Sequence, residues 1–132
     1  MSNILKIAAA AASLAFVGVA PAFADGDAAA GKAVFNQCKA CHQVGPEAKN
    51  GVGPILNGIY GRKAGEAAGY NYSDANKNSG FTWDDATLRV YLTDPKAKMP
   101  GTKMIFPGIK REKQLDDLMA YLKGIKADGS GI

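Results

Sequence analysis

Apolar and polar positions follow different patterns in different parts of the chain. Leu115, Leu118, Met119, Leu122 and Ile125 recur at helical spacing and predict a helix over residues 111–126. The stretch DAAAGKAVFNQC predicts a first helix, with Asp27 as N-cap and Ala28, Ala30 and Ala33 as helix formers. Gly31 is costly inside it and marks a place where another helix crosses closely. SDANKNSG fits a short helix capped by Ser73 and stopped at Gly80. TWDDATLRVYLTDP predicts a further helix: Thr82 caps it, Asp85 completes a capping box, and Asp84 and Asp85 favour the positive end of its dipole. Pro95 ends it. Residues 43–71 show no period and are rich in glycine and polar residues, so they read as loops and turns. KAKMPGTKMIFPGIK is irregular, broken at Pro100, Gly101, Pro107 and Gly108. The class is all-α: a small fold of few helices and long loops.

Residues 7–20 are a third pattern, an uninterrupted run of apolar and small side chains after Lys6 and before Ala22, Phe23 and Ala24. This reads as a secretory leader, residues 1–24, cut after Ala24. A run of about 14 is short of the ~20 residues that a bilayer span needs. Cleavage leaves residues 25–132, 108 in all, which is one domain. Those residues hold 15 basic and 12 acidic side chains, a net charge of +3 and too little to argue for nucleic acid. Export also sets an oxidising compartment, where two cysteines are ordinarily expected to pair.

About half of such a domain would be loop, with no sheet to hold it. A large rigid apolar ligand resolves that difficulty, because loops can wrap a ligand instead of each other.

Both cysteines and the chain's single histidine fall in NQCKACHQV. A structural disulfide between Cys38 and Cys41 would close a tiny loop and leave His42 without a task. A thioredoxin-like pair needs a preceding strand, and none is predicted. A structural zinc site needs four ligands, and no other Cys or His completes a familiar set. Covalent haem uses all three residues. Two thiols one turn apart add to the two porphyrin vinyl groups, and the imidazole of the next residue lies beneath the iron as an axial ligand. That chemistry requires C-x-x-C-H, and Cys38, Cys41 and His42 supply it once, for one haem c.

A single histidine excludes bis-histidine ligation and a distal acid–base histidine. Methionine remains for the sixth position. Met119 lies on the apolar face of the last helix and reads as core. Met99 and Met104 stay open as candidates, with the loop around Met104 the freer to bring a side chain over an iron. A thioether favours Fe(II), so a His/Met pair raises the reduction potential.

CKACH, GVGPILNGIYGRKAG, YSDANKNSGFTW, VYLTDPKAKMPGTKMIFPGIK and LMAYLK together resemble class I cytochrome c, and most of all its cytochrome c2 branch, which is similar to mitochondrial cytochrome c. The resemblance covers essentially all of residues 25–127. It implies that Met104 is the axial methionine and that the Pro54 carbonyl accepts the His42 Nδ1 proton. It implies that Tyr72, Ser73, Asn76 and Trp83 bond the haem propionates, with Arg62 nearby. Tyr91 and Thr102 match a network beside the methionine, and Phe106 an aromatic that covers the haem edge. Gly31 and Phe35 would meet Leu118 and Tyr121 where the first and last helices cross. Two departures stand out. The stretch from Phe35 to Cys38 is one residue shorter than in the mitochondrial type, so the first helix is expected to join the haem differently. Ser73 stands where threonine is usual.

Lys39, Lys49, Lys96, Lys98, Lys103, Lys110, Arg111 and Lys113 flank the haem-binding segments, while Asp84, Asp85, Asp116 and Asp117 lie on helices away from them. Of these cations, Lys39, Lys96, Lys98, Lys103, Lys110 and Arg111 are the expected docking face for acidic partner surfaces. The sequence reads as a soluble periplasmic one-electron carrier, a monomer and not an enzyme. The resemblance implies a cytochrome bc complex as donor and a photosynthetic reaction centre or terminal oxidase as acceptor, met by transient electrostatic docking. A haem peroxidase or a gas-sensing haem domain would instead need an open sixth site.

Overall fold

The protein is described by a computed structural model for residues 25–131, together with Gly18. The predicted leader and its cleavage junction lie outside the described residues, Gly18 apart. Five helices make up the regular structure: α1 (Ala28–Val34), α2 (Asp74–Lys77), α3 (Asp85–Thr93), α4 (Pro95–Lys98) and α5 (Glu112–Lys123), with a 3-10 turn at Phe35–Gln37. The one β pairing among the described residues is an isolated antiparallel bridge between Lys63 and Thr82. No helix among them is long and apolar enough to cross a membrane.

α1 begins where its sequence says. The Asp27 carboxylate accepts from the amides of Ala29 at 2.8 Å and Ala30 at 3.3 Å and meets two of the helix's orphan donors. Its far face crosses α5. A Cβ at Gly31 would lie 1.9 Å from the Asp117 carbonyl oxygen, so only glycine permits this approach. Phe35 and Tyr121 stack with ring centroids 5.5 Å apart, and Leu118 is buried in the same cluster. The expected crossing of Gly31 and Phe35 with Leu118 and Tyr121 is therefore present.

α3 starts two residues later than predicted. Asp84, not Thr82, is the cap, and its carboxylate accepts from the Thr87 amide at 2.8 Å. Thr82 is held extended by the bridge to Lys63, and Trp83 bonds across to Arg62 at 2.9 Å, so the helix cannot begin before Asp84. Pro95 ends α3 but also begins α4, one further turn capped by Asp94. Proline suits that first position because its missing N–H would be unpaired there anyway. α2 is capped by Ser73 as predicted.

Asp117 departs from the expected solvated acidic face. It is 4% exposed and accepts from the Asp27 amide at 2.8 Å and Lys113 Nζ at 2.6 Å. Asp116 also turns inward, paired with Arg89. Both acids are fixtures of the helix packing.

Candidate functional site

The remaining loops enclose a cavity of about 510 Å3. Its floor is the helical core at Phe35, Leu88, Leu92, Leu118 and Leu122, and its walls are loops. Cys38 and Cys41 reach it because the 3-10 turn leads directly into the motif, the Cys38 amide bonding to the Phe35 carbonyl at 2.8 Å. This tight turn spans the stretch from Phe35 to Cys38. Cys38 and Cys41 are not joined to each other by a disulfide.

The His42 amide closes the turn onto the Cys38 carbonyl at 2.8 Å. His42 Nδ1 lies 2.7 Å from the Pro54 carbonyl oxygen and donates its proton there. A Cβ on Gly53 would come within 2.4 Å of the imidazole, so the ring is flanked closely on that side. Burial holds the imidazole below its ordinary value; the bond to Pro54 works against this and Arg62 works with it. The ring is therefore neutral at neutral pH, with Nδ1 committed to Pro54 and the Nε2 lone pair free.

Met104 also lines the cavity. Met99 does not; it is 3% exposed and part of the core cluster, as is Met119. The Tyr91 hydroxyl lies 3.3 Å from Met104 Sδ and 3.4 Å from Thr102 Oγ1, and the Met104 amide donates to Thr102 Oγ1 at 3.3 Å. One direction of donation satisfies all three: Met104 N–H to Thr102, Thr102 O–H to Tyr91, Tyr91 O–H to the sulfur. Burial raises the Tyr91 phenol, which keeps that donor proton in place.

Tyr72, Ser73, Asn76, Trp83, Arg62, Thr102 and Phe106 all face the same cavity. Two carry unmet polar atoms. Among the described residues, buried Arg62 Nε and Asn76 Oδ1 find no hydrogen-bond partner. Burial pulls the Arg62 guanidinium below its ordinary range, which an anionic partner would offset. A half-turn of the Asn76 amide presents its NH2 group instead. The Ser73 hydroxyl caps α2 by accepting from the Asn76 amide, and the Tyr72 hydroxyl accepts from the Ala67 amide at 3.0 Å. Apolar walls, two thiols, a free imidazole nitrogen, a thioether and unmet donors for carboxylates suit a haem with its propionates.

Of the expected docking cations, Lys39 sits between the two cysteines and Lys103 lines the cavity. Lys98 lies over the Phe81 ring at 4.5 Å, one aromatic removed from Trp83. Lys96 is on α4, Lys110 reaches the Thr93 carbonyl at the end of α3, and Arg111 stands at the start of α5. Sequence reasoning missed Leu56, Ile59, Tyr70 and the mouth residues Val52 and Ile105. Their only signal was apolar side chains in loops with no partner to bury against.

These are the features of a haem-bearing electron carrier. A family model described as cytochrome c matches residues 28–126. Cytochrome c2 of Blastochloris viridis is 60% identical over 112 residues, covering 85% of this chain and 87% of the relative. Cytochrome c2 of Rhodoblastus acidophilus is 61% identical, covering 80% and 98%. Among solved structures, cytochrome cH from Methylobacterium extorquens matches with a TM-score of 0.71 and 62% identity, covering 74% of this chain and 98% of that one. The chain belongs to the cytochrome c family, as a class I c-type cytochrome of the c2 branch that carries haem c on Cys38 and Cys41.

Proposed function

We propose that the protein is a soluble periplasmic one-electron carrier, exported by a leader cut after Ala24. In this reading it passes electrons from a cytochrome bc complex to a photosynthetic reaction centre or a terminal oxidase. The observation that carries the reading is the placement of His42 and Met104 on one cavity, each fixed by its own hydrogen bond. Haem held there supplies a Fe(III)/Fe(II) couple. Neutral His42, oriented by Pro54, would offer Nε2 to the iron, and Met104, steadied by Tyr91 and Thr102, would offer its sulfur, a thioether favouring the reduced state. Arg62, Tyr72, Ser73, Asn76 and Trp83 receive the propionates, and Phe106 covers the edge. Were both His42 and Met104 to bind the iron, no coordination site would be left for a substrate.

Docking is supported by exposed Lys39, beside Cys38, and exposed Lys103 on the cavity, close to Ile105, which is 93% exposed. Lys39, Lys96, Lys98, Lys103, Lys110 and Arg111 steer an acidic partner, and the apolar mouth then meets it.

The test is the sixth position. The native protein should bind carbon monoxide slowly and weakly; fast, tight binding would favour a haem enzyme or a gas sensor. Met104→Ala should bind it readily, lose reduction potential by on the order of 100 mV and gain peroxidase activity. Met99→Ala should do none of these, and the reverse pattern would move the ligand to Met99.

A further inference from the structure

Behind the imidazole two limbs of chain run side by side, residues 41–45 and 53–57. Gly53 donates to the Cys41 carbonyl at 2.8 Å, His42 Nδ1 to Pro54 at 2.7 Å, and Leu56 to the Gln43 carbonyl at 3.1 Å. The lacing ends at Gly45, in an unusual way. The side-chain amide of Asn57 takes both backbone groups of Gly45: Oδ1 accepts its N–H at 2.9 Å and Nδ2 donates to its C=O at 2.8 Å. Asn57 is 8% exposed, so these bonds are screened from water.

The tail that follows α5 also packs against Gly45. A Cβ on Gly129, whose φ is +80°, would come within 2.1 Å of the Gly45 carbonyl carbon. The tail is itself folded. The Lys126 amide donates to the Ser130 carbonyl at 3.0 Å, and the Asp128 carboxylate accepts from the Ser130 amide at 2.9 Å and hydroxyl at 2.7 Å. The Gly58 amide, next to Asn57, donates to the Ile125 carbonyl at 3.2 Å. One limb is thus held at Gly45 by Gly129, which lies past the matched residues 28–126, and the other is tied through Gly58, next to Asn57, to Ile125 at the end of α5.

We infer that Asn57 and Gly129 clamp Gly45 and thereby position the His42 imidazole against Pro54, making Asn57 a positioning residue for the nitrogen ligand of the haem iron. Gly45 has a φ of +120° and no side chain, so without the clamp the limb would fray from its open end. Fraying would reach the Gln43–Leu56 bond first and the imidazole next. The inference rests on His42 being the axial base, as proposed above.

The test uses the haem-loaded protein, Asn57→Ser, Gly129→Ala and a chain ending at Lys126. Hydrogen exchange is followed by NMR at His42 Nδ1–H and at the Leu56 amide, with the Leu118 amide as reference in the helix crossing. Asn57→Ser should speed the first two by about tenfold and leave Leu118 unchanged. Gly129→Ala and the shortened chain should speed them by about threefold. The reduction potential should shift with them, because the Nδ1 hydrogen bond sets the basicity of the ligand. Uniform acceleration at all three sites, or an unchanged Nδ1 proton, would overturn the clamp. If Asn57→Ser does not fold, the two tail variants decide alone. Absence of paramagnetically shifted imidazole signals in the native ferric protein would instead overturn the axial reading of His42.

Discussion

Where α1 crosses α5 the chain packs on itself, whereas around the cavity it packs on a cofactor. At the crossing, Gly31 lets two backbones touch, Phe35 and Tyr121 stack, and Asp117 holds the amide of Asp27. Around the cavity, loops present apolar walls to a space of about 510 Å3. At ~24 cal/mol per Å3, closing that much space without filling it would cost at most about 12 kcal/mol. A domain's whole net stability is only about 5–15 kcal/mol. The crossing has contacts of its own to hold it, whereas the loops are expected to take their order from the haem.

The largest effect should follow from removing the covalent anchors. With Cys38 and Cys41 both replaced by alanine, acid–acetone should extract the haem and the loops should lose protection from hydrogen exchange. Residual protection should concentrate at α1 and α5. A double variant that kept its haem and its melting temperature would break the comparison outright.

Gly31→Ala probes the other half. Its Cβ would lie 1.9 Å from the Asp117 carbonyl and 2.8 Å from Tyr121 Cβ, so backbone must move. A loss of about 1–3 kcal/mol is expected in denaturant titrations, with the haem still attached. An unchanged midpoint would mean that the close crossing contributes little.

Both halves were legible in the sequence, through different signals. The crossing was readable from local chemistry: Asp27 as a cap, Gly31 as a gap, the apolar stripe of α5. The haem motif was readable from spacing alone, because only C-x-x-C-H uses both thiols and the imidazole. The freer loop around Met104 already favoured it over Met99, and the family resemblance settled the choice between two methionines of the same irregular segment. Three things carried no local signal. Thr82 and Asp84 are equally good caps until the bridge to Lys63 holds Thr82 extended. Asp117 looks like any surface acid until α1 delivers the Asp27 amide to it. Asn57 looks like a turn residue until Gly45 folds against it. In each case the deciding partner lies far away in the chain, and periodicity does not report such pairings.

Asp117 gives the crossing a pH dependence. The Lys113 ammonium, and then the Asp27 amide, hold its carboxyl below the ordinary value of 3.8. A lowered carboxyl contributes stability that is complete above its ordinary value and disappears as pH falls through the folded one. Asp117→Asn should therefore unfold at lower denaturant than the native protein near pH 6, and the two should converge as pH drops below 3.8. A gap that persisted in acid would assign the effect to packing and not to charge.

The smallest effect on the fold, and the one that isolates the cavity face, is a charge reversal on the docking surface. Lys98 stands over Phe81 near the cavity wall, and Lys123 stands over Tyr60 on α5, 5.5 Å from the ring centroid. Lys123 serves as the remote control, because reversing it changes net charge by the same amount. Lys98→Glu should slow second-order electron transfer to an acidic partner by about threefold at low salt, mainly through the association rate. The native rate should fall as salt rises, since the Debye length shrinks from ~10 Å at 0.1 M to ~3 Å at 1 M. Lys98→Glu should flatten that dependence. Lys123→Glu should change rate and slope little. Equal slowing by both reversals would mean that total charge guides the encounter, and the docking face would then have to be sought away from the haem mouth.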